Sequence, residues 1–166
     1  FVNSLDPMKL YFYQSDVDEF DQYATQIDDM VSKGDLSLAY RIFGRFIERV
    51  DERVSVALQL LDGDFDFNAD ETIVIDPENA QYAKNPQEAE DRWRRQIKYA
   101  ILDLKDEEKE GDEALDQLRR RYARYARRWR KTDSDDLLEM YLTAVTTAYD
   151  PHSTYMSPGT LEDFQI

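Results

Sequence analysis

Cysteine is absent from the 166 residues, and histidine occurs once, at His152. Without thiols there is no disulfide and no Cys-ligated metal, and one imidazole does not make an ordinary zinc site. The same scarcity leaves at most one histidine-based catalytic triad, and no Gly-x-Ser-x-Gly turn is there to join it. The five glycines are widely spaced and form no phosphate-cradling loop. No apolar run approaches the roughly 18–20 residues of a transmembrane segment. The sequence therefore leads us to expect no metal, no cofactor, no catalytic residue and no transmembrane segment.

Acidic residues are plentiful. The formal net charge is −15, which argues against nucleic acid binding over the whole surface. The charge is uneven. Between Pro86 and Lys131 there are 14 basic and 11 acidic residues, against 7 basic and 25 acidic elsewhere. Such asymmetry steers partners and orients neighbouring parts of a protein. Apolar residues make up 42% of the chain, with 11 Tyr and 8 Phe, so an aromatic-rich core is expected. The chain begins at Phe1 without a signal peptide and stops at Ile166 without a closing feature, so it reads as a fragment of a longer protein.

Helical periodicity dominates and predicts a mostly α fold, a compact five-helix domain. Ser15 is the expected N-cap of a first helix that continues to Gly34, with Val17, Phe20, Ala24, Ile27 and Val31 on one face. A second helix starts near Asp35 and carries Ala39, Ile42, Phe46, Val50, Val54 and Leu61. Alternating Phe65 and Phe67, then β-branched Thr72-Ile73-Val74-Ile75, predict an extended arm or short edge strand near residues 65–75. Asn85 with Pro86 at N1 opens a third helix that runs toward Gly111. A fourth runs from Asp112 to about Lys131, and a fifth ends before Pro151.

Four stretches invite a functional reading. Arg119 to Lys131 interleaves arginine with aromatics, a pattern that grips phosphates and stacks on bases. As a helix it turns Leu115, Leu118, Tyr122, Ala126 and Trp129 inward, leaving Arg120, Arg121, Arg124, Arg127 and Arg128 as a solvated face or partner surface. Asp62 to Glu71 has the acidic alternation of a calcium loop. An EF-hand needs Gly at position 6 and Glu at position 12, and either register puts other residues there: Phe67 and Ile73, or Ala69 and Ile75. All seven lysines lie in polar or charged stretches, which argues against a desolvated Ser–Lys dyad. His152, after Asp150-Pro151, reads as a turn residue at a helix end.

The two ends of the chain echo each other. Asp6-Pro7 and Asp150-Pro151 are each followed four residues after the proline by tyrosine (Tyr11, Tyr155), with Phe20 and Phe164 further on. Both stretches resemble motifs of the tail-specific proteases, or carboxy-terminal processing peptidases. Leu5-Asp6-Pro7 with Lys9, Tyr11-Phe12 and Ser15 to Phe20 looks like the family's opening. Phe65-Asp66-Phe67, Asp70-Glu71, Trp93-Arg94, Lys98-Tyr99 and Leu102 look like its middle. Asp150 to Pro158 is similar to the stretch leading into the family's PDZ domain, with Ser153-Thr154 where many members have Thr-Ser.

The resemblance implies an N-terminal helical domain (1–149) and a connector (150–166) toward a PDZ domain. It implies a periplasmic serine endopeptidase parent that takes protein substrates by their C-termini and carries its Ser and Lys in a later domain. An adaptor protein or second subunit would be the partner of this domain, and nucleic acid would not. Asp6, Pro7, Tyr11 and Phe20, and Asp150, Pro151, His152 and Tyr155, would be structural. The alternative is a stand-alone helical interaction module whose Arg-rich helix binds an acidic protein or nucleic acid.

Overall fold

A computed structural model describes residues 1–106 and 111–164. Lys109 and the expected approach of the third helix to Gly111 lie outside the described residues. In chain order the helices are α1 (Val2–Leu5), α2 (Gln14–Asp21), a 3-10 turn (Ala24–Gln26), α3 (Ile27–Ser32) and α4 (Ser37–Leu60). Then come α5 (Pro86–Asp106), α6 (Asp112–Trp129), α7 (Ser134–Tyr149) and α8 (Pro158–Phe164). The fold is mostly α, as the periodicity predicts. The segment between α4 and α5 is an arm, with no strand among the described residues; one isolated bridge joins Tyr13 to Ala83.

The first expected helix differs from the reading at both its start and its middle. Tyr13, not Ser15, is the N-cap, and Asp16 reaches back to accept the Tyr13 backbone N–H at 3.0 Å. The helix then breaks near Gln22 and Tyr23, without glycine or proline. Tertiary packing overrides propensity here. The break lets Phe20 reach the core from α2 while Ile27 and Met30 reach the same cluster from a second direction. Other boundaries follow local chemistry. Gly34 ends α3 with φ near 70°, a left-handed position, and the Asp35 N–H returns to the Met30 carbonyl at 2.8 Å. The Asn85 side-chain oxygen Oδ1 accepts the Glu88 N–H at 2.9 Å, and the Asp133 carboxylate accepts those of Asp135 and Asp136.

Helix α4 is the spine, 24 residues or about 36 Å long. Its first half packs Ile42, Phe46 and Val50 against Leu5, Phe12, Phe20 and Ala126, with Trp129 partly buried beside them. Its second half puts Ala57 and Leu61 into a cluster with Trp93, Ile97, Ile101 and Leu118. Tyr11 packs against both clusters. Its ring stacks on Tyr125 at 5.4 Å and meets Phe46 and Trp93 edge-on at 5.6 and 5.5 Å. Such ring pairs add roughly 0.5–1.5 kcal/mol each beyond burial.

Candidate partner surface and the residues that support it

The opening motif is spent on architecture. Asp6 is 1% exposed, and its carboxylate accepts the N–H groups of Leu10, Tyr11 and Phe12 at 2.8, 2.9 and 3.0 Å. One buried side chain thus satisfies a run of backbone donors that no helix serves, and the loop after Pro7 places Tyr11 and Phe12 in the core. Burial pushes the Asp6 carboxyl above its usual range, against the pull of those N–H groups and of Arg53. The second Asp-Pro behaves differently. Asp150 is exposed, and its carboxylate accepts the His152 N–H and the Ser153 hydroxyl, closing a turn at the end of α7. The echo in sequence is not an echo in structure.

Beside the opening motif runs an arginine ladder that the sequence reading missed. Arg41, Arg45, Arg49 and Arg53 recur every fourth residue along α4 and so share one face. Asp16, 1% exposed, bonds Arg45 and Arg49 and so clamps α2 to α4. Burial pushes the Asp16 carboxyl up, but the hydrogen bonds from Arg49, the Tyr13 N–H and Arg45 outweigh it and hold it below the usual carboxylate range. The guanidinium carbons of Arg49 and Arg53 lie 4.5 and 4.4 Å from the centre of the Tyr13 ring, whose hydroxyl donates to Glu52 at 2.6 Å. Arg53, 1% exposed, bonds Glu52 through Nη1, while its Nε and Nη2 have no partner among the described residues. The step of four was visible in the sequence. Its acidic complement, on another helix, was not.

Lys98 lies in a charged stretch of the sequence yet is buried, so such a stretch does not by itself keep a lysine solvated. It is 6% exposed and donates to the Glu71 carboxylate at 2.7 Å and the Ala69 carbonyl at 2.8 Å. Arg94 also bonds Glu71. The hydrogen bonds from Arg94 and Lys98 bring the Glu71 carboxyl down to about 2. Together these contacts pin the arm onto α5.

The arginines of α6 divide into two groups. Arg119 and, just past the end of the helix, Arg130 are spoken for: Arg119 bonds Asp62 at 2.8 Å and Arg130 bonds Asp51 at 2.6 Å. Between them Arg120, Arg121, Arg124, Arg127 and Arg128 are exposed, and none has an ion pair among the described residues. Their spacing confines them to roughly a third of the helix circumference, over about 12 Å of axis. The inner face carries Leu118 and Ala126, with Tyr122, Tyr125 and Trp129 partly buried. The arginines therefore form a continuous cationic strip on a well-anchored helix. Such a strip suits a row of carboxylates or phosphates.

The connector is laced to α7. The Thr147 hydroxyl donates to the Ser153 carbonyl and the Thr143 hydroxyl to the Tyr155 carbonyl, both at 3.2 Å, and Glu139 accepts the Ser157 N–H at 3.3 Å. The chain runs back along the helix, two extended residues to every four helical ones. The pitches match, since each step covers roughly 6–7 Å. Helix α8, which the sequence reading left inside the connector, follows at once. The Thr160 hydroxyl bonds Glu139 at 2.8 Å.

The chain matches the family model described as the tail specific protease N-terminal domain over residues 1–159. It is 36% identical over 165 residues to the tail-specific protease of Haemophilus influenzae, covering 99% of this chain and 24% of that protein. The chain belongs to this family of tail-specific protease N-terminal domains. It spans about a quarter of the length of that relative.

Proposed function

We propose that this domain is the non-catalytic N-terminal scaffold of a periplasmic serine endopeptidase that processes or degrades proteins from their C-termini. The observation that carries the reading is the state of Lys98. A Ser–Lys dyad needs a desolvated lysine within hydrogen-bond reach of a serine hydroxyl. The buried lysine among the described residues is instead held by a carboxylate and a carbonyl. In this reading the nucleophile and base belong to a later part of the parent. Asp150 to Pro158 is the hinge toward a PDZ domain, and the helical domain frames the approach of protein substrates. The test compares the parent with and without residues 1–149, using one protein substrate with an apolar C-terminal tail and one whose tail ends in aspartates. The reading expects the purified 166 residues to cleave neither, and deletion to impair processing of the apolar-tailed substrate. Cleavage by the 166 residues that one serine substitution removes would overturn it.

A second reading rests on the five arginines of α6 that have no ion pair among the described residues. They favour a partner surface for an acidic protein, an adaptor or a second subunit, whether or not a protease follows. Binding that falls steeply with salt supports it, and binding indifferent to salt counts against it.

A further inference from the structure

Away from the arginine strip, α7, the segment from Phe20 to Ile42, and Phe1 with Val2 enclose a cleft of roughly 530 Å³, with the Phe1 ring edge-on to Tyr141 at 5.3 Å. That volume falls within the range of about 300–1,000 Å³ usual for sites that hold small ligands or side chains. Its walls are apolar: Phe20, Ile27, Leu38 and Ile42 on one side, Ala144 and Val145 on the other. The charged side chains that line it, Asp21 and Asp28, are both acidic and both exposed. No lysine or arginine is in its lining.

Two further observations point to an occupant. Tyr141, in the cleft wall, is 3% exposed, yet its hydroxyl has no hydrogen-bond partner among the described residues. A buried hydroxyl left unbonded is costly, and a peptide carbonyl would satisfy it. Tyr149, also in the lining, is 81% exposed, and with exposed Ala148 beside it adds open apolar surface to the cleft.

We propose that this cleft binds a segment of another protein that presents apolar side chains flanked by lysine or arginine. The apolar groups enter between α7 and α4, the cations meet Asp21 and Asp28, and a backbone carbonyl takes the Tyr141 hydroxyl. The acidic rim makes the site selective against segments bearing carboxylates, so its partner is opposite in charge to the one that suits the arginine strip.

The test is fluorescence anisotropy on the 166-residue chain. The probes are a labelled decapeptide alternating leucine with lysine and its leucine–glutamate counterpart. The site predicts binding of the first at least about tenfold tighter than the second. Ala144→Trp, which fills the cleft, abolishes binding. If that variant does not fold, Ala148→Trp, at an exposed position, serves the same purpose. Tyr141→Phe weakens binding about two- to tenfold with the melting temperature kept or raised, because the orphaned hydroxyl is gone. Equal binding of both peptides overturns the proposal. So does a leucine–lysine affinity that neither tryptophan changes, since that marks attraction to the chain's overall acidity. Binding by the 166 residues but not by the full-length parent overturns it too, because the cleft is then covered from within the same polypeptide.

Discussion

Asp16 and Arg49, 33 residues apart in the chain, meet in a two-point ion pair, with Nε on Oδ2 at 2.8 Å and Nη2 on Oδ1 at 2.9 Å. The pair fixes the first turn of α2 against the spine helix. The carboxylate is buried and the guanidinium only partly so. Removing one member therefore costs more than a surface ion pair is worth.

Asp16→Asn is expected to destabilise the domain by about 3 kcal/mol at neutral pH, read by urea denaturation. Its pH dependence has a definite sign. The folded-state carboxyl lies below its ordinary value, so its contribution is complete above the unfolded value of about 3.9 and is lost as pH falls through the lower folded one. The gap between the wild type and Asp16→Asn should begin to narrow as pH falls below about 4. A gap that does not narrow with falling pH would mean that packing, not charge, joins the two helices.

Glu71 and Lys98 make a parallel case for the arm. Lys98→Met and Glu71→Gln should each raise hydrogen exchange and proteolysis across residues 64–76 and leave α4 and α6 protected. Glu71 titrates near 2 in the fold, so the arm is held above the ordinary glutamate value of about 4.3 and released between there and 2. An arm equally protected in both variants would show that Phe65, packed against the second core cluster, holds it instead.

The arginine strip should be cheap to rewrite. Arg120→Glu, Arg124→Glu and Arg127→Glu replace exposed residues with no ion pair among the described residues, so each is expected to change stability by less than about 0.5 kcal/mol. Phe46→Ala, at 0% exposure, is expected to cost about 3–5 kcal/mol. The triple glutamate variant should keep its fold while losing a salt-sensitive acidic partner. A loss of more than about 1 kcal/mol at any one strip position would reveal a structural ion pair there.

These contrasts show what the sequence made legible. Apolar spacing marked α4 to α7, because a helix face buried in a core must repeat every three or four residues. It also separated the inner aromatics of α6 from the outer arginines. What it could not supply was contact between distant elements. Lys98 sits among charges in the sequence, yet the arm folds over it and brings Glu71. The arginine ladder repeats plainly along α4, but its meaning depends on Asp16 arriving from α2. Tyr141 is buried on the inner face of α7, and nothing in its sequence position shows that its hydroxyl has no partner among the described residues.

The connector supplies the last prediction. Its hold on α7 comes through Glu139, Thr143 and Thr147, and Glu139 lies below the ordinary glutamate range because Ser157 and Thr160 hydrogen-bond its charged form. Above that range the lacing is complete, and it loosens as pH falls through the folded value. Glu139→Gln with Thr143→Val should therefore speed amide exchange at residues 153–160 near neutral pH. The α7 amides should stay protected, since Leu137 and Tyr141 remain buried on its inner face. Wild type at low pH should approach the same exchange pattern. If the double variant exchanges no faster than wild type, the connector is held by its own turn at Asp150, and Asp150→Ala becomes the variant that frees it.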